Sequence, residues 1–293
     1  MIRILTTTLL FILILCPSIF GQENDSLRSS LLWEIKGKKV DQPCYIMGTM
    51  HMIPKEKFLF PDHVAEKVRK SDVLVMEIGG IKDQANIIKY MMLDTGNVFN
   101  YFNEKQLDSL FEYTESELGY TEDQMRLMFG KMKPLVIMQL FTKNAFGEDP
   151  ESYELTFEEI AKEDSVTIQG LETIEDQVAI FDEVPIEKQI EMLMSSLRES
   201  YSDEDNGMND LITVFLSQDI DSIYNYSTDS GSDLASMEQQ LLTNRNKNWI
   251  PLIKKLIKKN KCFIAVGAAH LGGPDGVIQL LREEGYELIP IRL

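Results

Sequence analysis

The chain has 293 residues, 44% of them hydrophobic and 26% charged, a balance typical of a soluble globular protein rather than a disordered or fibrous one. There are 47 Asp and Glu against 29 Lys and Arg, so the formal charge is −18. This acidity argues against sequence-independent nucleic-acid binding, because no net basic field exists to displace the counterions of phosphate. Only three histidines are present, so a site that needs several histidines must use nearly all of them.

Residues 1–21 have the pattern of a secretory signal peptide. A positive charge precedes the apolar core Leu9–Leu15, and a small residue precedes Gln22 at a plausible cleavage point. The apolar run is too short to span a bilayer comfortably, which favours a cleaved signal over a retained anchor. Lipid attachment at Cys16 is disfavoured, because the bulky Leu15 stands where a small residue is expected. We therefore expect an exported protein, periplasmic or extracellular, with no transmembrane segment in its mature chain.

Short apolar runs separated by turns predict the strands of a central sheet. The first two runs, Leu31–Ile35 and Cys44–Met47, flank a turn and predict a β-hairpin. Three later runs are continuously apolar, which suits strands buried on both faces of a sheet. These runs are Val73–Met76, Val166–Ile168 and Cys262–Val266. A helix at Gly276–Glu284 and a last strand at Glu287–Ile291 close the chain.

The region between about residues 80 and 255 has the periodicity of helices. Apolar residues recur on one face in two stretches, Leu107–Leu118 and Ile186–Leu197. Strands at both ends of the chain therefore flank a long helical middle. The sequence predicts one α/β domain over residues 22–293, in which the terminal segments build a mixed, mostly parallel central sheet and residues 80–255 form a helical insertion.

Cys44 and Cys262 are the cysteines of the expected mature chain. In an oxidising compartment such a pair can form a disulfide, and the two residues precede similar motifs by four or five positions. Two separate buried thiols, packed as small hydrophobic groups, are the alternative. The sequence leaves both open, and no CxxC or Cys/His spacing indicates a structural zinc site.

Polar residues follow four predicted strands at the point where each strand ends. Two GxxH motifs end in His51 and His270, and Glu77 and Glu172 follow two further strands. Ligands of an open parallel sheet bind beyond the carboxyl ends of its strands. The glycine of each motif is expected to turn the backbone sharply, so that the histidine points back over the sheet edge. These two histidines and two glutamates could coordinate a divalent metal. A shared centre requires the carboxyl ends of the Cys44 and Cys262 strands to meet, so we expect these two strands to lie side by side in one sheet.

Each of these residues also has a structural explanation. A lone histidine at a strand end is more often structural than a ligand, although the repeated motif uses two of the three histidines. Glu77 follows a buried strand, where a carboxylate usually needs a partner. The segment after Glu172 could simply begin a helix, with Thr173 as its cap. His63 is expected to be a surface residue.

Six segments of the chain form a specific series by their order and spacing. They are Leu32-Trp33-Glu34-Ile35, Gly48-Thr49-Met50-His51, Ser71-Asp72-Val73-Leu74-Val75-Met76-Glu77, Gly170-Leu171-Glu172-Thr173 with Gln177, Arg245-Asn246 with Trp249, and Val266-Gly267-Ala268-Ala269-His270-Leu271 with Gly285-Tyr286. This series resembles the TraB/GumN family, which includes the Tiki-type metalloproteases. The resemblance covers about residues 30–292 and implies an α/β fold related to the erythromycin-esterase-like and ChaN-like proteins.

The resemblance implies a metal-dependent hydrolytic centre with His51, Glu77 and His270 as metal ligands. A bound divalent ion lowers the pKa of a water and polarises a carbonyl oxygen. Glu172 is the remaining carboxylate at the same edge and is a candidate general base or fourth ligand. Arg245 is a candidate for stabilising an oxyanion or holding a substrate carboxylate. Manganese, cobalt and zinc all accept mixed imidazole and carboxylate ligands, so the ion is not specified.

We therefore expect an exported metal-dependent hydrolase, and a peptidase in particular, that acts on a peptide or small-molecule substrate. A metal-free esterase, in which histidine and glutamate act as acid and base, is one alternative. An exported protein that binds and sequesters a peptide without cleaving it is the other. Metal content separates the first two, and product analysis with a peptide library identifies the third. The sequence does not specify an oligomeric state.

Overall fold

The apolar runs predicted as strands form a central six-stranded sheet within the described part of the chain. The structure is a computed structural model that describes residues 29–37, 40–80, 84–146, 149–201, 207–229 and 235–293. The predicted signal peptide, with Cys16, lies outside these residues. The strands are β1 (Leu32–Lys36), β2 (Cys44–Thr49), β3 (Ile53–Pro54), β4 (Val73–Ile78), β5 (Pro150–Glu151), β6 (Thr167–Glu172), β7 (Cys262–Gly267) and β8 (Glu287–Ile291).

Helices account for most of the described chain between β4 and β7. The α-helices are α1 (Asp62–Arg69), α2 (Gln84–Met91), α3 (Glu104–Ser116), α4 (Glu122–Phe129), α5 (Pro134–Ala145), α6 (Tyr153–Glu163), α7 (Ile174–Asp182), α8 (Ile186–Tyr201), α9 (Gly207–Leu216), α10 (Ile220–Ser227), α11 (Asn244–Ile257) and α12 (Val277–Glu283). Single 3₁₀ turns lie at Lys55–Lys57, Val98–Tyr101, Ala235–Met237 and Ala268–His270, and a π-helix spans Gln239–Thr243. None of the helices described here is both long enough and apolar enough to span a bilayer.

The strand order of the sheet is β6-β4-β7-β2-β1-β8. The first four strands in this order run parallel, whereas β1 is antiparallel to both of its neighbours. The short strands β3 and β5 form a separate antiparallel pair. The predicted fold class, α/β with a mixed and mostly parallel sheet, is therefore confirmed. One strand, β6, comes from the middle of the chain, so the predicted helical insertion also contributes to the sheet.

The two strands that carry the GxxH motifs are neighbours, as the shared motif predicts. Thr49 at the end of β2 pairs with Gly267 at the end of β7, across 218 positions of sequence (267 minus 49). Cys44 and Cys262 begin the same two strands, and both are free and buried. Their sulfur atoms lie 3.3 and 3.6 Å from the carbonyl oxygen of Asn260. The structure therefore has two separate buried thiols rather than a disulfide.

Alternate residues of the central strands pack on opposite faces of the sheet. In β4, Leu74 and Met76 belong to one apolar cluster, and Val73 and Val75 belong to another. This arrangement explains why the strand is apolar at successive positions, because neither face is left to solvent. Full burial of each such side chain contributes about 1.5–3 kcal/mol. A third cluster lies among the helices of the middle region and includes Leu110, Met125, Ile137, Phe141, Ile190 and Leu193.

Candidate active site

The carboxyl ends of the four parallel strands meet at one edge of the sheet. Thr49 pairs with Gly267 where β2 and β7 end, and Ile78 pairs with Glu172 where β4 and β6 end. Glu77, next to Ile78, accepts a hydrogen bond of 2.7 Å from the backbone N–H of Gly267. The parallel register therefore brings both GxxH motifs and both glutamates to the same edge, where an open parallel sheet binds its ligands.

The glycines of the two motifs are required by close packing rather than by a sharp turn. Gly267 has a φ of −52°, and Gly48 is not among the glycines with positive φ. A Cβ atom on Gly48 would lie 2.9 Å from the Cα atom of Ala268, and one on Gly267 would lie 3.3 Å from Oε1 of Glu77. The chain does turn directly after Gly267, into the 3₁₀ turn Ala268–His270, but neither glycine needs a positive φ for it. The missing Cβ instead lets β2 approach the turn that follows β7.

Arg245 lies at the centre of a hydrogen-bond network that joins both glutamates to His270. Its Nη2 donates to Oε2 of Glu77 and to Oε1 of Glu172, both at 2.5 Å, and its Nε donates to Glu172 at 3.1 Å. Its Nη1 donates to the carbonyl of Leu241 and to Nε2 of His270, each at 3.0 Å. A guanidinium has five N–H donors, and these contacts use all of them.

A π-helix directly before α11 positions Arg245. Within this π-helix, the backbone carbonyl of Leu241 accepts the hydrogen bond from the guanidinium. Such single π turns are frequent at functional sites. Trp249, one turn further along α11, packs its ring 4.9 Å from the guanidinium carbon, so a cation–π contact holds the other side of the group.

His270 is buried and is held at both ring nitrogens. Its Nδ1 lies 2.6 Å from Oδ1 of Asn246, and its Nε2 lies 3.0 Å from Nη1 of Arg245. Because a guanidinium can only donate, Nε2 is the accepting nitrogen, and Nδ1 carries the proton that Asn246 accepts. The ring also packs on Trp249, with 4.5 Å between ring centroids. Burial lowers the pKa of His270 to about 3, so the imidazole is neutral at neutral pH.

The carboxylate of Glu77 accepts hydrogen bonds from three different residues. Oε1 accepts from the backbone of Gly267, and Oε2 accepts from Gln177 at 3.2 Å as well as from Arg245. Burial by itself raises the pKa of Glu77, but the neighbouring His270 and Arg245 outweigh burial and hold the pKa at about 2. Since His270 is neutral at neutral pH, Arg245 is the cation that stabilises this carboxylate there.

Glu172 belongs to the network, and the residues that follow it also form a capped helix start. The side chain of Glu172 is 9% exposed and accepts hydrogen bonds from Arg245 and, at 3.1 Å, from the indole N–H of Trp249. Thr173 caps α7, and Thr173 and Asp176 form a capping box in which each satisfies the other's backbone N–H. The capped helix start is therefore present at Thr173, while the functional role of Glu172 stays a prediction.

His51 lies on the open side of the same edge. Its side chain is 75% exposed, and its Nδ1 lies 3.3 Å from Oε1 of Glu154. Thr49 donates its hydroxyl to the same oxygen at 2.7 Å. The hydrogen bond to Glu154 raises the pKa of His51 to about 9, the charge of Glu77 acts in the same direction and that of Arg245 opposes it. His51 is therefore within electrostatic reach of the buried network.

Glu154 is a site residue that no sequence pattern indicated. It lies in the first turn of α6, 105 positions after Thr49, in the middle region of the chain. The pairing of Ile53 with Glu151 brings the start of α6 beside the segment that follows His51. A local pattern could not have found Glu154, because the contact depends on this tertiary pairing.

The remaining histidine differs from the expectation. His63, predicted at the surface, lies half-buried in α1. Its Nε2 is buried, and no hydrogen-bond partner for it occurs within the described ranges. His63 lies outside the network at the sheet edge.

The predicted metal ligands do not fit a metal ion in this arrangement. The ranges that the structure describes contain no group of three His, Cys, Asp or Glu side chains placed to hold one. Imidazole and carboxylate are suitable donor types for a divalent ion, but Nε2 of His270 and the carboxylate of Glu77 face Arg245. The contact of His51 with Glu154 uses Nδ1 and leaves Nε2 free. The metal site therefore stays a prediction from the sequence.

Comparison with known proteins identifies the family of the chain. The sequence model of the TraB/PrgY/gumN family matches residues 31–290, which is nearly the whole chain. Neither the curated proteins nor the solved structures contain a match.

Proposed function

The chain belongs to the TraB/PrgY/gumN family, and from this premise we propose that it is an exported hydrolase that cleaves ester or amide bonds at the edge where β2, β4, β6 and β7 end. Its substrate is a peptide or another small molecule. The observation that carries the proposal is the exposed imidazole of His51, held by the carboxylate of Glu154 within electrostatic reach of a buried network of fixed charges.

His51 is the proton-transfer group of the proposed reaction. A general acid or base must reach the substrate, and His51 is the exposed one of the two motif histidines. The carboxylate of Glu154 faces Nδ1 and orients the ring, which leaves Nε2 to exchange a proton with water or with the leaving group. Thr49 holds the same carboxylate oxygen and so restricts its movement.

The buried network supplies fixed charge within electrostatic reach of His51. Glu77 and Glu172 carry two negative charges against the one positive charge of Arg245, and His270 is neutral. The sum is one negative charge, which favours the imidazolium form of His51. With a pKa of about 9, His51 is protonated at neutral pH and is placed to give its proton to the leaving group. The five internal hydrogen bonds of Arg245 mean that contact with a substrate requires the guanidinium to release one of them.

The metal-dependent form of the reaction, predicted with His51, Glu77 and His270 as ligands, requires a different arrangement. Nε2 of His270 and the carboxylates of Glu77 and Glu172 would have to exchange Arg245 for an ion. His51 would not have to move away from Glu154, because that contact is made by Nδ1 and leaves Nε2 free. Acid–base catalysis by the side chains of the protein is therefore the proposal that these contacts support better.

Product analysis by mass spectrometry tests the proposal. The full chain, purified without chelator, is incubated with a peptide library and with simple ester substrates, with and without EDTA, and its metal content is measured. We expect products in both conditions and a loss of about 10²-fold or more in turnover for His51→Ala. His63→Ala is the matched control and should keep full turnover, because His63 lies outside the site.

Each other outcome identifies an alternative. Products that require a stoichiometric bound ion and disappear with EDTA would establish the metal-dependent form. Intact peptides and esters after long incubation, with or without added manganese, would contradict the proposal and favour the peptide-binding alternative.

A further inference from the structure

Three groups that suit a divalent ion surround a guanidinium instead. Oε2 of Glu77 and Oε1 of Glu172 both lie 2.5 Å from Nη2 of Arg245, and Nε2 of His270 lies 3.0 Å from Nη1. We propose that Arg245 is the resident cation of this centre and excludes a divalent ion from it. Removal of the guanidinium then uncovers a divalent-metal site. Its ligands are Glu77, Glu172 and His270, a set that includes Glu172 and does not include His51.

The first argument is charge. The side chains of Glu77 and Glu172 are 12% and 9% exposed, and two buried carboxylates need a compensating cation. The same nitrogen atom of Arg245 lies between them, so the guanidinium fills the volume that an ion would need. Arginine and a divalent ion are therefore alternative occupants of one position.

The second argument is that Arg245 is firmly held. All five of its N–H groups donate within the protein, one of them to the carbonyl of Leu241 in the π-helix, and its other side packs on the ring of Trp249. An ion that entered the wild-type site would have to break these contacts together. Free metal in solution is therefore expected to leave Arg245 in place.

The third argument is the state in which the three ligands are held. Asn246 accepts the proton of Nδ1 of His270, which leaves Nε2 with a lone pair in the tautomer that a metal ligand requires. Gly267 and Gln177 orient the carboxylate of Glu77 through hydrogen bonds that do not involve Arg245. The indole N–H of Trp249 holds the carboxylate of Glu172 in the same way. Removing the guanidinium thus leaves two oriented carboxylates and an imidazole, the donor types that zinc, manganese and cobalt accept.

Metal binding is measured directly, by isothermal titration with Mn²⁺ and Zn²⁺ and by elemental analysis after dialysis, on the full-length wild type and on Arg245→Ala. We expect no bound ion in the wild type and one ion per chain in Arg245→Ala. Saturating Mn²⁺ should also raise the melting temperature of this variant by about 5 °C. Adding Glu172→Gln to Arg245→Ala should weaken binding by about tenfold or more, because a lost ligand should cost at least as much as a lost outer hydrogen bond.

Two controls separate the loss of the cation from the loss of an arginine. Arg245→Lys keeps a positive charge in the network and should bind no ion. Arg282 stacks on Trp33 at 5.3 Å, as Arg245 stacks on Trp249, but lies outside the network, so Arg282→Ala should also bind none. If Arg245→Ala fails to fold, Arg245→Met keeps the apolar packing and removes the charge, and the same results are expected of it.

Two results would overturn the proposal. One is a wild-type protein that holds one ion per chain and loses it on His270→Ala. The other is a folded variant without the guanidinium that binds no ion. Because neither measurement uses a substrate, the outcome is independent of whether the protein proves to be a hydrolase.

Discussion

The two GxxH motifs read alike in the sequence, yet the structure places their histidines in opposite environments. His270 is 4% exposed, neutral and bonded at both ring nitrogens, whereas the side chain of His51 is 75% exposed and pairs with one carboxylate. The pKa of His270 is lowered by burial, and the pKa of His51 is raised by its hydrogen bond to Glu154. A shared motif therefore does not imply a shared role.

The two histidines have different environments because the chain contacts different elements after β7 and after β2. The chain after β7 forms the 3₁₀ turn Ala268–His270, which lies against Asn246 and Trp249 of α11. The chain after β2 continues into β3, which pairs with β5 and reaches the start of α6. One end of the site is thus built as part of the core, and the other is built at the surface.

The largest effect should come from removing the central cation of the buried end. Arg245→Ala leaves the carboxylates of Glu77 and Glu172 without a counter-charge, and we expect the free energy of unfolding to fall by about 3–5 kcal/mol in metal-free buffer. His51→Ala, at the exposed end, should change it by less than about 1 kcal/mol. Urea unfolding measures both, and equal losses would contradict the division of the site into a buried and an exposed end.

Acid should destabilise the buried end. The folded-state pKa of Glu77 is about 2 and that of His270 about 3, both below their values in an unfolded chain, roughly 4.3 and 6.5. Below those unfolded values the unfolded state binds more protons, so stability falls as the pH falls through 6.5 and 4.3 towards the folded values. The loss from Glu77 alone is on the order of 3 kcal/mol. Between pH 7 and 3, the free energy of unfolding should fall less steeply in Glu77→Gln than in the wild type. An unchanged pH dependence would contradict the low pKa assigned to Glu77.

A smaller effect should show that the two motifs are in contact. Gly48 belongs to the motif of His51, yet its added Cβ would meet the backbone of Ala268 in the turn that carries His270. Gly48→Ala should therefore lower the free energy of unfolding by about 1–3 kcal/mol. Gly267→Ala, whose added Cβ would lie 3.3 Å from Glu77, should cost less. A neutral Gly48→Ala would mean that the two turns can separate freely.

The smallest effect should appear at alkaline pH and at the exposed end alone. The pKa of His51 is raised in the folded state, so its pairing with Glu154 contributes fully below pH 6.5 and is lost as the pH rises through about 9. Because the side chain is exposed, the loss should stay below about 1 kcal/mol. A histidine NMR titration should place the pKa of His51 nearer 6.5 in Glu154→Gln, and an unchanged value would show that Glu154 does not set it.

Residue type and local spacing predicted much of the fold. Val73–Met76 and Cys262–Val266 are apolar at every position, so they could be assigned to strands covered on both faces before any contact was known. The shared GxxH pattern also predicted that β2 and β7 are neighbours. The run Val166–Ile168 likewise indicated β6, a strand that lies within the region predicted to be a helical insertion.

The sequence by itself determined the features that depend on short stretches of chain. These are the periodicity of strands and helices, the helix caps, and the residues that follow the strands. Only the tertiary structure decided which of those residues meet. Arg245 bonds to Glu77 over 168 positions and to Glu172 over 73, and Thr49 bonds to Glu154 over 105. The physical reason is that burial and charge neutralisation belong to neighbours in space, so two identical motifs acquired a neutral, enclosed histidine in one case and an exposed, charged one in the other.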